Sequence, residues 1–175
     1  LDAQMHAAVT QRQAQQVQQM LEDGANPDFG PAANNFTALV SAAHRGDAHI
    51  VQHLLDAGAD PNLATRDGND TPPIMWAVDN GADRGLPIVK ALVEAGADGN
   101  VGHGQGGYTP LMKAVRHRSP RTVRYLLDHG ADPTLASFRG DTALDWAIED
   151  GSESIADMLR DAMEADEAEA AKEAD

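Results

Sequence analysis

The sequence predicts an all-α fold, a solenoid of five stacked helix-turn-helix units joined by β-turn loops. Three observations predict it. First, a Gly-Ala turn recurs as Gly24-Ala25-Asn26-Pro27-Asp28, Gly58-Ala59-Asp60-Pro61-Asn62, Gly96-Ala97-Asp98-Gly99-Asn100 and Gly130-Ala131-Asp132-Pro133-Thr134, with glycines 34, 38 and 34 residues apart. Second, Thr37, Thr71, Thr109 and Thr142 each open a stretch that runs into an Ala-Ala, Ala-Val or Ala-Ile pair. Third, apolar pairs such as Ile50-Val51 and Leu54-Leu55 fall at i, i+1, i+4 and i+5. A period near 33 residues marks stacked repeats, none of which buries its apolar stripe alone.

Taken in order, the units span about residues 3–34, 35–68, 69–106, 107–139 and 140–163. The first is the loosest, with Met5-His6, Ala8-Val9, Val17, Met20-Leu21 and a Gln-rich second helix that gives a polar outer face. The second reads Thr37-Ala38-Leu39, Ala42-Ala43, Gly46, Ile50-Val51 and Leu54-Leu55. Threonine supplies an N-cap oxygen, and proline or alanine suits the first turn. The Ala pair keeps the first helix thin, Gly46 breaks the chain between helices, and the Gly-Ala exit caps the second.

The third unit reads Thr71-Pro72-Pro73-Ile74, Ala77-Val78, Gly81, Ile88-Val89 and Leu92-Val93. Pro73 reads there as one extra residue, and Ala82 to Pro87 as about three more in an inter-helix insertion. The fourth reads Thr109-Pro110-Leu111-Met112, Ala114-Val115, Val123 and Leu126-Leu127, with Arg118-Ser119-Pro120 in place of the inter-helix glycine and Ser119 placed to cap. The fifth, Thr142-Ala143-Leu144, Ala147-Ile148, Gly151, Ile155 and Met158-Leu159, never reaches a Gly-Ala exit. Its second helix is expected to reach about residue 168, so residues 1–163 form the repeat domain and 164–175 an acidic helical extension or tail.

This Thr-Pro-Leu-type start, Ala-Ala first helix, Ile-Val…Leu-Leu second helix and Gly-Ala-Asp-x-Asn exit resembles the ankyrin repeat, over about residues 3–163. The histidine that usually follows Thr-Pro-Leu in that family and ties adjacent turns together is matched only by His6; Val40, Met75, Met112 and Asp145 stand elsewhere. The resemblance implies a non-catalytic protein-binding module that uses the concave face and loop tips. Position by position it points to Phe36 and Tyr108 just before Thr37 and Thr109, to Phe138, Arg139 and Asp141 in the fifth loop, and to Arg66, Asp67, Asn69 and Asp70 in the third. On the first helices the position before the Ala pair reads Ala7, Ser41, Trp76, Lys113, Trp146. The two after it read Thr10/Gln11, His44/Arg45, Asp79/Asn80, Arg116/His117 and Glu149/Asp150. Trp76, Lys113 and Trp146 read either as an interface ladder or as packing between neighbours, and Arg116 and His117 as partners of Glu149 and Asp150.

The net charge of −15 over 175 residues argues against nucleic acid and anionic membrane, and suits a partner protein with a basic surface. It is uneven: residues 161–175 carry seven acids against Lys172, while 113–124 holds five cations and no acid. A stoichiometric inhibitor or immunity-type protein for a basic partner fits the same charge. No apolar run reaches the roughly 20 residues that span a bilayer. There is no cysteine, and Arg, Ala, Gly and Asp usage suggests a bacterial source. A start at Leu1 agrees equally with a removed signal peptide and with a sequence trimmed at its start, leaving cytoplasmic and periplasmic locations open, and a monomer is expected.

His49 and His53 share a helix face at i, i+4, the spacing of a two-histidine metal site, and with the run Gly102-His103-Gly104-Gln105-Gly106-Gly107 they support a metal- or small-ligand-binding alternative. No third ligand is near them in sequence, and a phosphate loop needs a preceding strand and usually a lysine. The sequence therefore predicts no catalytic residues, no metal and no cofactor.

Overall fold

A computed structural model describes residues 1–32, 36–65 and 69–173. Among these the chain forms ten α-helices arranged as consecutive antiparallel pairs, and β pairing is limited to two isolated bridges, His103 with Tyr108 and Ala136 with Thr142. The all-α solenoid predicted from the repeats is therefore the fold observed. The chain divides into two compact parts, Leu1–Asp98 and Gly99–Asp175.

In the N-terminal part the pairs are α1 (Asp2–Thr10) with α2 (Ala14–Glu22), α3 (Ala38–Arg45) with α4 (Ala48–Asp56), and α5 (Pro73–Asp79) with α6 (Gly81–Glu94). First helices stack on first helices, α1 on α3 on α5, and second helices likewise, α2 on α4 on α6. The core between them holds Met5, Leu39, Ile50, Leu54, Ile74, Met75, Ile88 and Leu92, all essentially inaccessible. In the C-terminal part α7 (Pro110–Arg116) pairs with α8 (Pro120–Asp128) and α9 (Ala143–Glu149) with α10 (Glu153–Glu173). There α7 packs on α9 and α8 on α10, around Leu111, Met112, Leu126 and Leu159.

Three predicted threonine caps and four glycine exits have geometric counterparts. Thr37 and Thr109 accept the amides of Val40 and Met112 at 3.1 and 3.3 Å, and Thr142 forms a reciprocal capping box with Asp145. Gly24, Gly58, Gly96 and Gly130 adopt φ of 91°, 87°, 95° and 87°. Each closes a Schellman pair in which the alanine amide reaches back five residues and the glycine amide three, as in Ala59 N to Leu54 O and Gly58 N to Leu55 O, both 2.9 Å. The exits are then tied together by side chains. Asp28 Oδ1 accepts Asp60 N at 2.8 Å, and Asn62 Oδ1 accepts Asp98 N at 2.8 Å while its Nδ2 donates to Gly96 O. Within the C-terminal part Asn100 does the same for Asp132 N and Gly130 O.

Four local expectations are corrected. The extra residues of the third hairpin do not form a loop: they lengthen α6 at its start to 14 residues, with Pro87 inside it. Thr71 does not cap α5. The helix starts at Pro73 with Pro72 at the N-cap position, and Thr71 instead exchanges hydrogen bonds with Thr65. Ser119 occupies the N-cap of α8, but its hydroxyl turns back to the His117 carbonyl at 3.4 Å. Helix α10 continues past residue 168 to Glu173, because a run of Ala and Glu without Gly or Pro propagates helix despite acids near its C-terminus.

Candidate partner-binding face

In the N-terminal part, Phe36 immediately precedes the Thr37 N-cap of α3, and Trp76 stands in the first turn of α5. Their ring centroids are 5.4 Å apart, and His44 at the end of α3 meets the Trp76 ring edge-on at 4.7 Å. Phe36 and Trp76 are half-buried and His44 is exposed. The indole Nε1 of Trp76 is enclosed with no acceptor among the described residues, so this side chain offers its ring, and not its N–H, to the surface. Arg45 is exposed at the end of α3, and Asp79 is exposed at the end of α5. Ser41 is buried, its hydroxyl 3.3 Å from His6 Nε2. His6 also donates through Nε2 to the Phe36 carbonyl at 3.0 Å, tying the first hairpin to the second loop tip. Burial holds the His6 imidazole below its ordinary pKa, which favours the neutral ring.

In the C-terminal part the same geometry recurs with different residues. Tyr108, one position before the Thr109 cap, packs edge-on against Trp146 of α9 at 5.1 Å. Around the pair lies a groove of about 290 Å³ lined by Tyr108, Arg116, Trp146, Glu149 and Asp150. Lys113 is half-buried, while Arg116, His117, Phe138 and Arg139 are exposed. Arg118, one residue beyond the expected pair, crosses between these hairpins, with Nη2 donating to the Asp150 carbonyl at 3.2 Å and Nε 3.8 Å from its carboxylate.

The glycine-rich run ahead of Tyr108 has a packing explanation. A Cβ on Gly106 would lie 2.2 Å from the Tyr108 ring, and one on Gly107 would lie 2.6 Å from the Phe138 ring. The glycines let two aromatic rings rest on backbone, and Phe138 N donates to Gly106 O at 2.9 Å, joining neighbouring loop tips. Phe138 nonetheless remains 77% exposed.

His49 and His53 lie on α4, one exposed and one half-buried, and among the described residues no group of three or more His, Asp or Glu is placed to hold a metal ion. Of the third-loop candidates, Asn69 and Asp70 are exposed, while Arg66 and Asp67 lie outside the described residues. No described helix is long and apolar enough to cross a membrane.

Sequence reasoning found the aromatic positions but missed their partners. Each loop-tip ring pairs with the tryptophan of the following hairpin, 40 residues on for Phe36 and 38 for Tyr108, a few residues more than the regular 34-residue repeat. The shared spacing was the available signal.

Comparison with known proteins agrees with the geometry. A family model for ankyrin repeats (3 copies) matches residues 5–103 and 82–169. The chain is 34% identical over 149 residues, 85% of its length, to the mitochondrial disaggregase of Bos taurus, and 31% identical over 111 residues, 63% of its length, to ankyrin repeat and SAM domain-containing protein 6 of Rattus norvegicus. It spans 21% and 12% of those two relatives. The putative ankyrin repeat protein YahD of Escherichia coli (strain K12) is 33% identical over 150 residues, covering 82% of this chain and 71% of that one. Capped helix pairs, Schellman exits bridged by Asp and Asn, and a family match over most of the length converge, and the chain belongs to the ankyrin repeat family.

Proposed function

We propose that this chain is a non-catalytic protein-binding module that grips one partner protein through its loop tips and first helices. Ankyrin repeats generally mediate protein–protein interaction, and proteins built of them are generally non-catalytic. The observation that supports the finer reading is the repeated aromatic pair, Phe36 with Trp76 and Tyr108 with Trp146, each joining the residue before a threonine cap to the first helix of the next hairpin. Trp and Tyr are enriched among interface hot spots because they bury a large area at little rotamer cost.

The Tyr108–Trp146 groove supports it further. Its lining combines the rings of Tyr108 and Trp146 with Arg116, Glu149 and Asp150, so one shallow site offers apolar area and both signs of charge. Rings already packed against each other lose little freedom on binding. The net charge of −15 favours a partner with a basic surface, nucleic acid and membrane being disfavoured, and is compatible with a stoichiometric inhibitor of such a partner.

The test is affinity capture of the partner from lysate, followed by calorimetry with wild type, Trp146→Ala, Tyr108→Ala and Trp146→Phe. Loss of either ring is expected to weaken binding by about 30-fold, or about 2 kcal/mol, with Trp146→Phe retaining most of the affinity. An unchanged dissociation constant in the alanine variants, with only the melting temperature lowered, would assign the rings to packing and end the proposal.

A further inference from the structure

A second surface lies away from the aromatic face, between the second helices of the C-terminal part. In four hairpins the second helix stops at a glycine with φ near 90° and the chain turns out. The last hairpin has no such exit, so α10 runs 21 residues while α8 runs 9. Where a fifth turn would lie there is instead a groove of about 440 Å³ between α8, the Gly130–Asp132 exit and α10. Its floor is apolar: Leu127 from α8, and Met158, Ala162 and Ala165 at i, i+4 and i+7 on α10. The alanines leave the space that a larger side chain would fill. Asp128, Asp132, Asp161 and Asp166 rim it, and Arg124 is the cation among the described residues that line it.

An apolar stripe at helical spacing, bounded by four carboxylates and one guanidinium, is complementary to one kind of occupant. We infer that this groove docks a cationic amphipathic helix of a partner protein, its apolar side chains on the alanine floor and its Lys or Arg residues against the aspartates. The occupant binds on second helices and an exit turn, independently of the aromatic pairs.

The test uses the full chain and a fluorescein-labelled peptide of about 16 residues with Leu at i, i+4 and i+7 spacing and Lys or Arg elsewhere. A scrambled peptide of identical composition serves as control. Anisotropy titration is expected to saturate with the patterned peptide and to be about tenfold weaker with the scrambled one. Ala162→Arg, which fills and charges the floor, is expected to weaken binding by about tenfold, and Asp161→Asn with Asp166→Asn by about fivefold. Glu167→Gln with Glu169→Gln removes the same charge from the same helix outside the groove and is expected to stay within about twofold. Circular dichroism checks that α10 is intact in each variant. Equal weakening by groove and tail variants, equal binding of the scrambled peptide, or no saturable binding would each overturn the inference. Trp146→Ala separates the two surfaces: it should leave peptide binding unchanged, and if it abolishes binding the peptide sits on the aromatic face and the groove assignment fails.

Discussion

Arg12 and Arg118 hold the inter-helix position that glycine fills at Gly46, Gly81 and Gly151, and all five have left-handed backbone, with φ of 60° and 50° for the two arginines. A non-glycine residue there is disfavoured by about 1–2 kcal/mol. The sequence marks Arg118 as a departure from glycine but leaves its energetic effect open, because the compensating contact comes from the next hairpin. Arg12 Nε donates at 2.7 Å to Asp47, whose side chain is only 8% exposed and whose other oxygen is enclosed with no partner among the described residues. Arg118 reaches Asp150 at 3.8 Å with both side chains largely in water, where an ion pair contributes about 0–1 kcal/mol. Glycine at the two positions should therefore act in opposite directions. Arg118→Gly is expected to be neutral or to stabilise by up to about 1 kcal/mol through relief of strain. Arg12→Gly is expected to destabilise by about 1–3 kcal/mol, since it strands a buried carboxylate. Urea denaturation of the two variants decides the matter; shifts of the same sign would show that the cross-hairpin contact does not set the balance.

At the scale of the element, α6 is where reading and structure part most. Gly81, Gly85 and Pro87 within seven residues look like a break, since glycine and proline both weaken helix interiors. The chain nevertheless forms helix from Gly81, because the added turn packs against α5. Gly85 makes that approach possible: a Cβ there would lie 2.3 Å from the Ala77 carbonyl oxygen, a backbone atom that cannot swing aside. Gly85→Ala is accordingly expected to cost about 2 kcal/mol or more, as overpacking does. Gly99→Ala, at a glycine with open space around its missing Cβ, should change stability by less than about 0.5 kcal/mol. Thermal melts of both compare them, and a Gly85→Ala protein as stable as Gly99→Ala would show that α5 and α6 are free to separate.

The same element shows what the sequence made legible. Helix pairs, caps at Thr37, Thr109 and Thr142 and four glycine exits were readable because each depends on residues within five positions of one another. The α6 extension, the Thr71–Thr65 exchange and the aromatic pairs were not, because each depends on a neighbour 6 to 40 residues away whose register had first to be fixed. Of the candidate surface, composition and register found the rings, and only packing showed that Ser41 lies beneath His6.

For the whole molecule the dominant long-range term is charge. Thirteen cations stand against twenty-eight acids, and Asp157, Asp161, Glu164, Asp166, Glu167 and Glu169 crowd α10, several of them near its C-terminus where the helix dipole opposes them. Self-repulsion of this kind destabilises the compact state, and salt screens it. Raising ionic strength from about 0.01 M to about 0.5 M shortens the Debye length from about 30 Å to less than about 5 Å. The exposed pairs Arg118–Asp150 and Arg160–Asp157 weaken in the same salt, but each contributes less than about 1 kcal/mol. Repulsion summed over fifteen uncompensated charges should outweigh them. Melting temperature is therefore expected to rise by about 3–6 °C between those two NaCl concentrations. The rise should shrink when Glu164, Glu167 and Glu169 are all changed to Gln, a variant that should also melt higher than wild type at low salt. A melting temperature that stays flat or falls as NaCl is added would mean that the local ion pairs, and not the excess of acid, govern the electrostatics of the fold.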